Sequence, residues 1–145
     1  MDSTAMPGED WPELHRARRA IVVVDVVESV RLMQEHEADF IDRWRRFVNL
    51  AAQHVVPRLG GRLVKSLGDG MLLEFGSAAS ALAAANELLE AVATLNAGRD
   101  APALIQLRVG LHVADVVVDQ LDIYGSGVNL AARLAAVAMP GQVVA

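Results

Sequence analysis

Five apolar residues, Ala20–Val24, run without interruption into Asp25. A run this continuous predicts a strand covered on both faces, since a half-exposed strand would alternate. From Glu28 to Leu59 the spacing changes. Leu32, Phe40, Trp44, Phe47, Val48, Ala51 and Val55 recur at three- and four-residue intervals, which predicts helix, and Pro57 with Gly60-Gly61 ends it. "RLVKS" and "MLLEF" then flank "LGDG", the pattern of two short strands around a tight turn. Ser77–Leu95 is rich in alanine and leucine and predicts a second helical segment, with Ser77 as its N-cap and Asn96-Ala97-Gly98 as its stop. "LIQLRVGLHVADVVV" predicts a long strand with a bend at Gly110 or Ala114, and "LDIYGSG" a loop. "VNLAARLAAVAM" predicts a helix closed by Pro140-Gly141, and "QVVA" opens a last strand. The predicted order is β-α-α-β-β-α-β-α-β. It is an α+β fold, a ferredoxin-like or palm-type antiparallel sheet with helices packed on one face.

The first 18 residues hold two prolines, a glycine and mixed charge, and read as a flexible tail before one domain at 19–145. Composition narrows the function classes. With no cysteine there is no disulfide and no thiolate metal site. The net charge of -5 and the lack of a basic stripe argue against nucleic acid as a partner. "RWRR" at Arg43–Arg46 reads as a solvated helix face between acidic residues. No apolar run approaches the roughly 18 residues of a membrane span. The start shows no signal-peptide pattern, so the expected location is the cytoplasm.

Polar residues in apolar surroundings carry the candidate chemistry. Asp25 ends the buried strand, where a carboxylate needs a partner or a capping role. Asp69 sits in the hairpin turn, where Asp-Gly is also an ordinary turn dipeptide. In a ferredoxin-like sheet the first strand neighbours that hairpin, so the two carboxylates converge, and paired carboxylate oxygens favour a hard cation such as Mg2+. Alternation puts Lys65 on one face with Leu63 and Leu67, either snorkelling at the strand end or aimed at a ligand. Asn129 and Arg133, four apart on the last helix, share a face that is either solvated or functional. Asp122 either starts a turn or joins that set. The four histidines show no metal-ligand spacing, and no Ser/His/Asp set or GxxxxGK[ST] loop is present.

"VVVDVVESVRLM", "GGRLVKSLGDGMLLEF", "LRVGLHVADVVV" and "DIYGSGVNLAARL", in that order, resemble the core blocks of a class III adenylate/guanylate cyclase catalytic domain. "VRLM" is similar to the "SRLM" of a bacterial adenylate cyclase subgroup. The resemblance spans about Arg19 to Ala145. It implies that Asp25 and Asp69 hold two Mg2+ (or Mn2+) ions per site. Lys65 and Asp122 would read the adenine, Asn129 would orient the ribose, and Arg133 would stabilise charge at the reacting phosphate. It further implies a head-to-tail homodimer with ATP bound between subunits, and a product, cyclic AMP, used in signal transduction. The family's pattern continues for several tens of residues past Ala145 with a phosphate-binding lysine, so the resemblance implies a domain incomplete at its C-terminus.

Two departures point to an alternative. Glu28 and Ser29 stand where the family usually has glycine and an aromatic, and a glutamate there is expected to repel a triphosphate. Ala114 and Ser126 also differ from the family's usual residues. The alternative is a weak or inactive cyclase-like module for dimerisation or nucleotide sensing. A diguanylate cyclase reading is disfavoured because "GGDEF"-type residues are absent.

Overall fold

A computed structural model describes residues 14–145. Most of the expected N-terminal tail lies outside the described residues. Six strands form one sheet: β1 (His15–Val26), β2 (Arg62–Ser66), β3 (Gly70–Phe75), β4 (Leu107–Val118), β5 (Ile123–Tyr124) and β6 (Val143–Val144). The helices are α1 (Ser29–Glu35), α2 (Glu37–Leu50), α3 (Val56–Arg58), α4 (Ala78–Leu95) and α5 (Ser126–Val137). The strand order β2-β3-β1-β4-β5 places β1 at the centre, and β6 adds to β4 in parallel. All pairings within the five-strand path are antiparallel.

Alternation along β1 explains its apolar run. Val22 and Val24 enter a core with Phe47 of α2 and Leu88 of α4, while Ile21 and Val23 face Ala131 and Ala135 of α5. Helices α1–α4 pack on one face, as the element order predicts, and α5 lies along the other over β4. At the first face Phe40 stacks on Trp44 and Trp44 packs tilted against Phe47, with ring centroids 6.4 and 5.4 Å apart. Ser77 caps α4 as expected, its Oγ accepting from the Ser80 amide at 3.1 Å.

Several expectations are corrected. β1 begins at His15, so His15–Arg18 belong to the sheet and not to a tail; they pair with Val118–Asp115 of β4. Backbone pairing is indifferent to side-chain polarity, and this exposed end kept no apolar signature. Arg43 is not on a solvated face. It is buried and donates to Asp39, to Asn96 Oδ1 and to the Ala103 carbonyl, tying α2 to the segment after α4. The helical segment after α2 opens into a π-helical turn, Ala51–Val55, before α3. The loop around Tyr124 contains the short β5. No register break interrupts the β1–β4 pairing, so Gly110 marks no bulge. A Cβ there would collide with the backbone at Ala131 and Ala135, so glycine is what lets α5 lie against β4. Finally, α4 is long and apolar enough to span a membrane by length and composition, at mean hydropathy 1.2 over its 18 residues. Ala81, Ala84, Ala85, Leu88 and Val92 of this helix are buried against the sheet, as in a core helix.

Candidate active site

Asp25 lies opposite Gly70 of β3 and Arg108 of β4 in the sheet register. Just past it, the Val26 amide donates to the Asp69 carbonyl at 2.9 Å, pinning the β2–β3 turn beside the end of β1. Gly68 has φ 84 in this turn, and the Leu67 amide donates to the Gly70 carbonyl at 2.9 Å. A Cβ at Gly70 would run into the Val24 carbonyl and Asp25 Oδ1, so the close approach of Asp25 to the turn needs glycine. Burial pushes the Asp25 carboxyl up, the Asp69 charge pushes it further, and Arg108 pulls it back in part. A part-buried carboxylate with a second one beside it favours a cation between them. An all-oxygen pair suits Mg2+ or Mn2+, which take one or two carboxylates and complete their shell with water and phosphate oxygens. The structure therefore brings the two predicted metal residues together. Among the described residues no group of three or more His, Cys, Asp or Glu side chains is arranged to hold a metal.

The second group forms on the α5 face. Lys65 Nζ donates to Asp122 Oδ2 at 2.9 Å. Both line a cavity of about 420 Å³ with Val23, Leu72, Val128 and Asn129. Burial works to raise the Asp122 carboxyl, but the hydrogen bonds from Lys65 and the Ile123 amide, with the charges of Lys65 and Arg62, outweigh it and leave it lowered. The expected neighbours of Lys65 are half right. Leu67 lines the same cavity, but Leu63 packs into the core on the opposite face. A register shift between Leu63 and Lys65 is the cause. It breaks the two-residue alternation, so that Val64 and Lys65 both serve the α5 side.

Asp69 and Lys65, four residues apart, are thus held in different directions. Asp69 Oδ2 accepts from Ser29 Oγ at 2.8 Å, at the start of α1, while Lys65 reaches across to the β4–β5 turn. Arg133 is exposed one turn beyond Asn129 and is not among the residues lining the Lys65–Asp122 cavity. Glu28 adopts φ 52, the one non-glycine residue with positive φ among the described residues. A left-handed backbone there explains why glycine suits the position. The Glu28 carboxylate accepts from Arg31 Nε at 3.1 Å, which offsets the negative charge expected from the sequence to repel a triphosphate. Arg108 was not singled out from the sequence. Its Nε is buried with no hydrogen-bond partner among the described residues, directly across from Asp25. An arginine inside an apolar strand, one position after Leu107, was the signal available.

The chain matches the family described as "Adenylate and Guanylate cyclase catalytic domain" over residues 16–145. A Rhizobium meliloti (strain 1021) protein named "Putative adenylate cyclase 3" is 37% identical, over 90% of this chain and 22% of that protein. An "Adenylate cyclase" of Streptomyces coelicolor is 31% identical, over 89% of this chain and 32% of that protein. The chain therefore spans only a fraction of these relatives' length, 22% and 32%. Among solved structures, an "Adenylate/Guanylate Cyclase/Hydrolase" from Silicibacter pomeroyi superposes with TM-score 0.80 at 34% identity, covering 90% of this chain and 76% of that one. A bacterial light-regulated adenylyl cyclase shares the fold, with TM-score 0.73 at 20% identity over 86% of this chain and 41% of that one. The blocks that carry Asp25, the Lys65–Asp69 hairpin and the Asp122–Arg133 segment all fall within the matched residues, and the chain belongs to the adenylate and guanylate cyclase catalytic domain family.

Proposed function

We propose that the chain converts ATP to 3′,5′-cyclic AMP and pyrophosphate, at a site shared between two copies arranged head to tail. The observation that carries this reading is the Lys65–Asp122 pair over a cavity also lined by Asn129, with Asp69 turned the other way to meet Ser29 and Asp25. Adenine offers an acceptor at N1 and a donor at N6. A lysine that donates and an aspartate that accepts match that edge, whereas guanine presents the opposite order. Asn129 orients the ribose. Its 3′-hydroxyl gives up its proton to solvent water and the oxygen bonds to the α-phosphorus as the bond from that phosphorus to the α–β bridging oxygen breaks, and pyrophosphate leaves. Arg133 opposes the charge that builds on the α-phosphoryl oxygens. Arg108, with an unpartnered Nε beside Asp25, offers a second cation to the triphosphate. Asp25 and Asp69 would hold two divalent ions, which would supply charge neutralisation at the phosphates and acidify the attacking hydroxyl.

The hairpin supports a site shared between copies. Lys65 is tied to the β4–β5 turn and Asp69 to the start of α1, and two residues four apart held in different directions suit parts of two nucleotides better than both ends of one. Leu67 and Tyr124 at the cavity rim, with Leu121 beside it, are exposed, and a second copy would cover them. A second reading, a nucleotide-sensing module of low activity, is favoured by one observation: Ser29 occupies Asp69 Oδ2, an oxygen the metals need. The test is cyclic AMP formation from Mg-ATP or Mn-ATP by the purified chain at several protein concentrations. Specific activity should rise with concentration as dimers form. Nucleotide binding without product at any concentration would favour the second reading.

A further inference from the structure

Glu74 is the only buried carboxylate among the described residues, and two arginines hold it. Arg19 Nε donates to Oε1 at 2.9 Å. Arg62 donates to Oε2 twice, from Nε at 2.9 Å and from Nη2 at 2.6 Å. One cation would neutralise this carboxylate. The second arginine has donors to spare, and Arg62 directs them at the turn between β4 and β5. Its Nη1 donates to the Gln120 carbonyl at 2.6 Å, and Nη2 reaches the Asp122 carbonyl at 3.4 Å. That turn closes the Val118–Ile123 pairing of β4 with β5, and its internal bonds run from the Asp119 amide to the Asp122 carbonyl, from the Gln120 amide to Asp119 Oδ1 and from the Ile123 amide to Asp122 Oδ1. Its tip, Gln120 and Leu121, is exposed, and there the tie from Arg62 comes from outside the hairpin. β2 therefore grips it at two points, Arg62 by its backbone and Lys65 by the Asp122 carboxylate. A fork fixed at one end by a buried anion is a rigid strut, which a flexible ammonium is not.

We propose that Arg62, anchored by Glu74, is a positioning residue that sets where the Asp122 carboxylate stands and thereby the purine preference of the cavity. This rests on the reading of that cavity as the base site. Arg62 does not line the Lys65–Asp122 cavity. It acts through the turn, and a misplaced acceptor discriminates poorly between adenine and guanine because buried hydrogen-bonding groups reject a mismatched edge only when they are held in register. Arg62→Lys keeps a cation for Glu74 but cannot bridge to the Gln120 carbonyl at the same time.

The test is calorimetric binding of ATP and GTP, with divalent metal, to the full chain and to Arg62→Lys, Asp122→Ala and the double variant. Arg62→Lys should lower the ATP-over-GTP affinity ratio by about tenfold, the effect of one lost charge-assisted hydrogen bond. The double variant should show the ratio of Asp122→Ala alone, since Arg62 acts only through Asp122. A purely structural role would lower both affinities and leave their ratio fixed, and that result overturns the proposal. An unchanged ratio in Asp122→Ala would instead overturn the base-site reading. Should Arg62→Lys fail to fold, Arg62→Gln combined with Glu74→Gln removes anion and cation together and is read in the same way.

Discussion

Gly110→Ala adds one methyl group where the backbone of α5 lies directly against β4. The new Cβ would fall well inside contact distance of the Ala131 carbonyl and the Ala135 amide, and 3.1 Å from the Ala135 Cα. Neither obstacle is a flexible side chain, so α5 must lift from the sheet. Overpacking of this kind costs about 1–3 kcal/mol. In a chain of this size that corresponds to a fall in Tm of roughly 4–10 °C, measurable by circular dichroism. The functional loss should be larger than the stability loss implies. α5 carries Asn129 and Arg133, and lifting it displaces both relative to Lys65 and Asp122, which are held by β2 and the β4–β5 turn. A misplacement of about 1 Å at a reacting centre costs on the order of 100-fold in rate. The assay is cyclic nucleotide production beside nucleotide affinity at a temperature where the variant is folded. A Gly110→Ala chain with unchanged Tm and unchanged turnover would refute the seating of α5 on β4.

Asp25→Asn should raise the Tm of the metal-free protein, because it removes a partly buried charge that Asp69 repels. Mn2+ should stabilise the parent by about 2.7 kcal/mol at metal one hundredfold above Kd, and the same variant should lose that stabilisation. Lys65→Glu with Asp122→Cys should shift use from ATP toward GTP by reversing donor and acceptor at the purine edge; equal ATP preference in parent and variant, read from competing substrates, counts against the assignment. Asp122→Asn should destabilise by roughly 0.2–1 kcal/mol, the range for a part-exposed pair. The Asp122 carboxyl is lowered from 3.8 in the folded chain, so this stability is present above 3.8 and lost as pH falls through the folded value. Melts of parent and variant from pH 7 down to pH 2 should converge at the acid end.

The elements were legible where one signal dominated. Ala20–Val24 is too apolar for anything but a doubly covered strand, and Ser77 with the alanine-rich run fixes α4. The meeting of Asp25 with the Asp69 turn was legible because a strand end and a neighbouring turn each carried a carboxylate. What escaped depended on partners distant in sequence. The shift at Val64 exists only against β3, so alternation put Leu63 beside Lys65 when it faces the other core. Arg43 looked solvated among charges, but its burial is made possible by Asn96 and the Ala103 carbonyl, more than fifty residues away in sequence. Gly110 read as a bend because a glycine in a strand does not disclose whether it bends the backbone or admits a helix. The π-helical turn at Ala51–Val55 uses residues that fit an α-helix equally well.

Subunit complementation tests the shared site most directly. Asp25→Ala lacks a metal carboxylate and Arg133→Ala lacks the phosphate cation, so neither variant alone should form cyclic AMP. Mixed dimers contain one site with both residues intact. Random exchange makes about half of all dimers mixed, so activity should recover to about a quarter of the parent's, by counting sites in a symmetric dimer. Silence of the mixture, with subunit exchange demonstrated, would place the whole site in one chain.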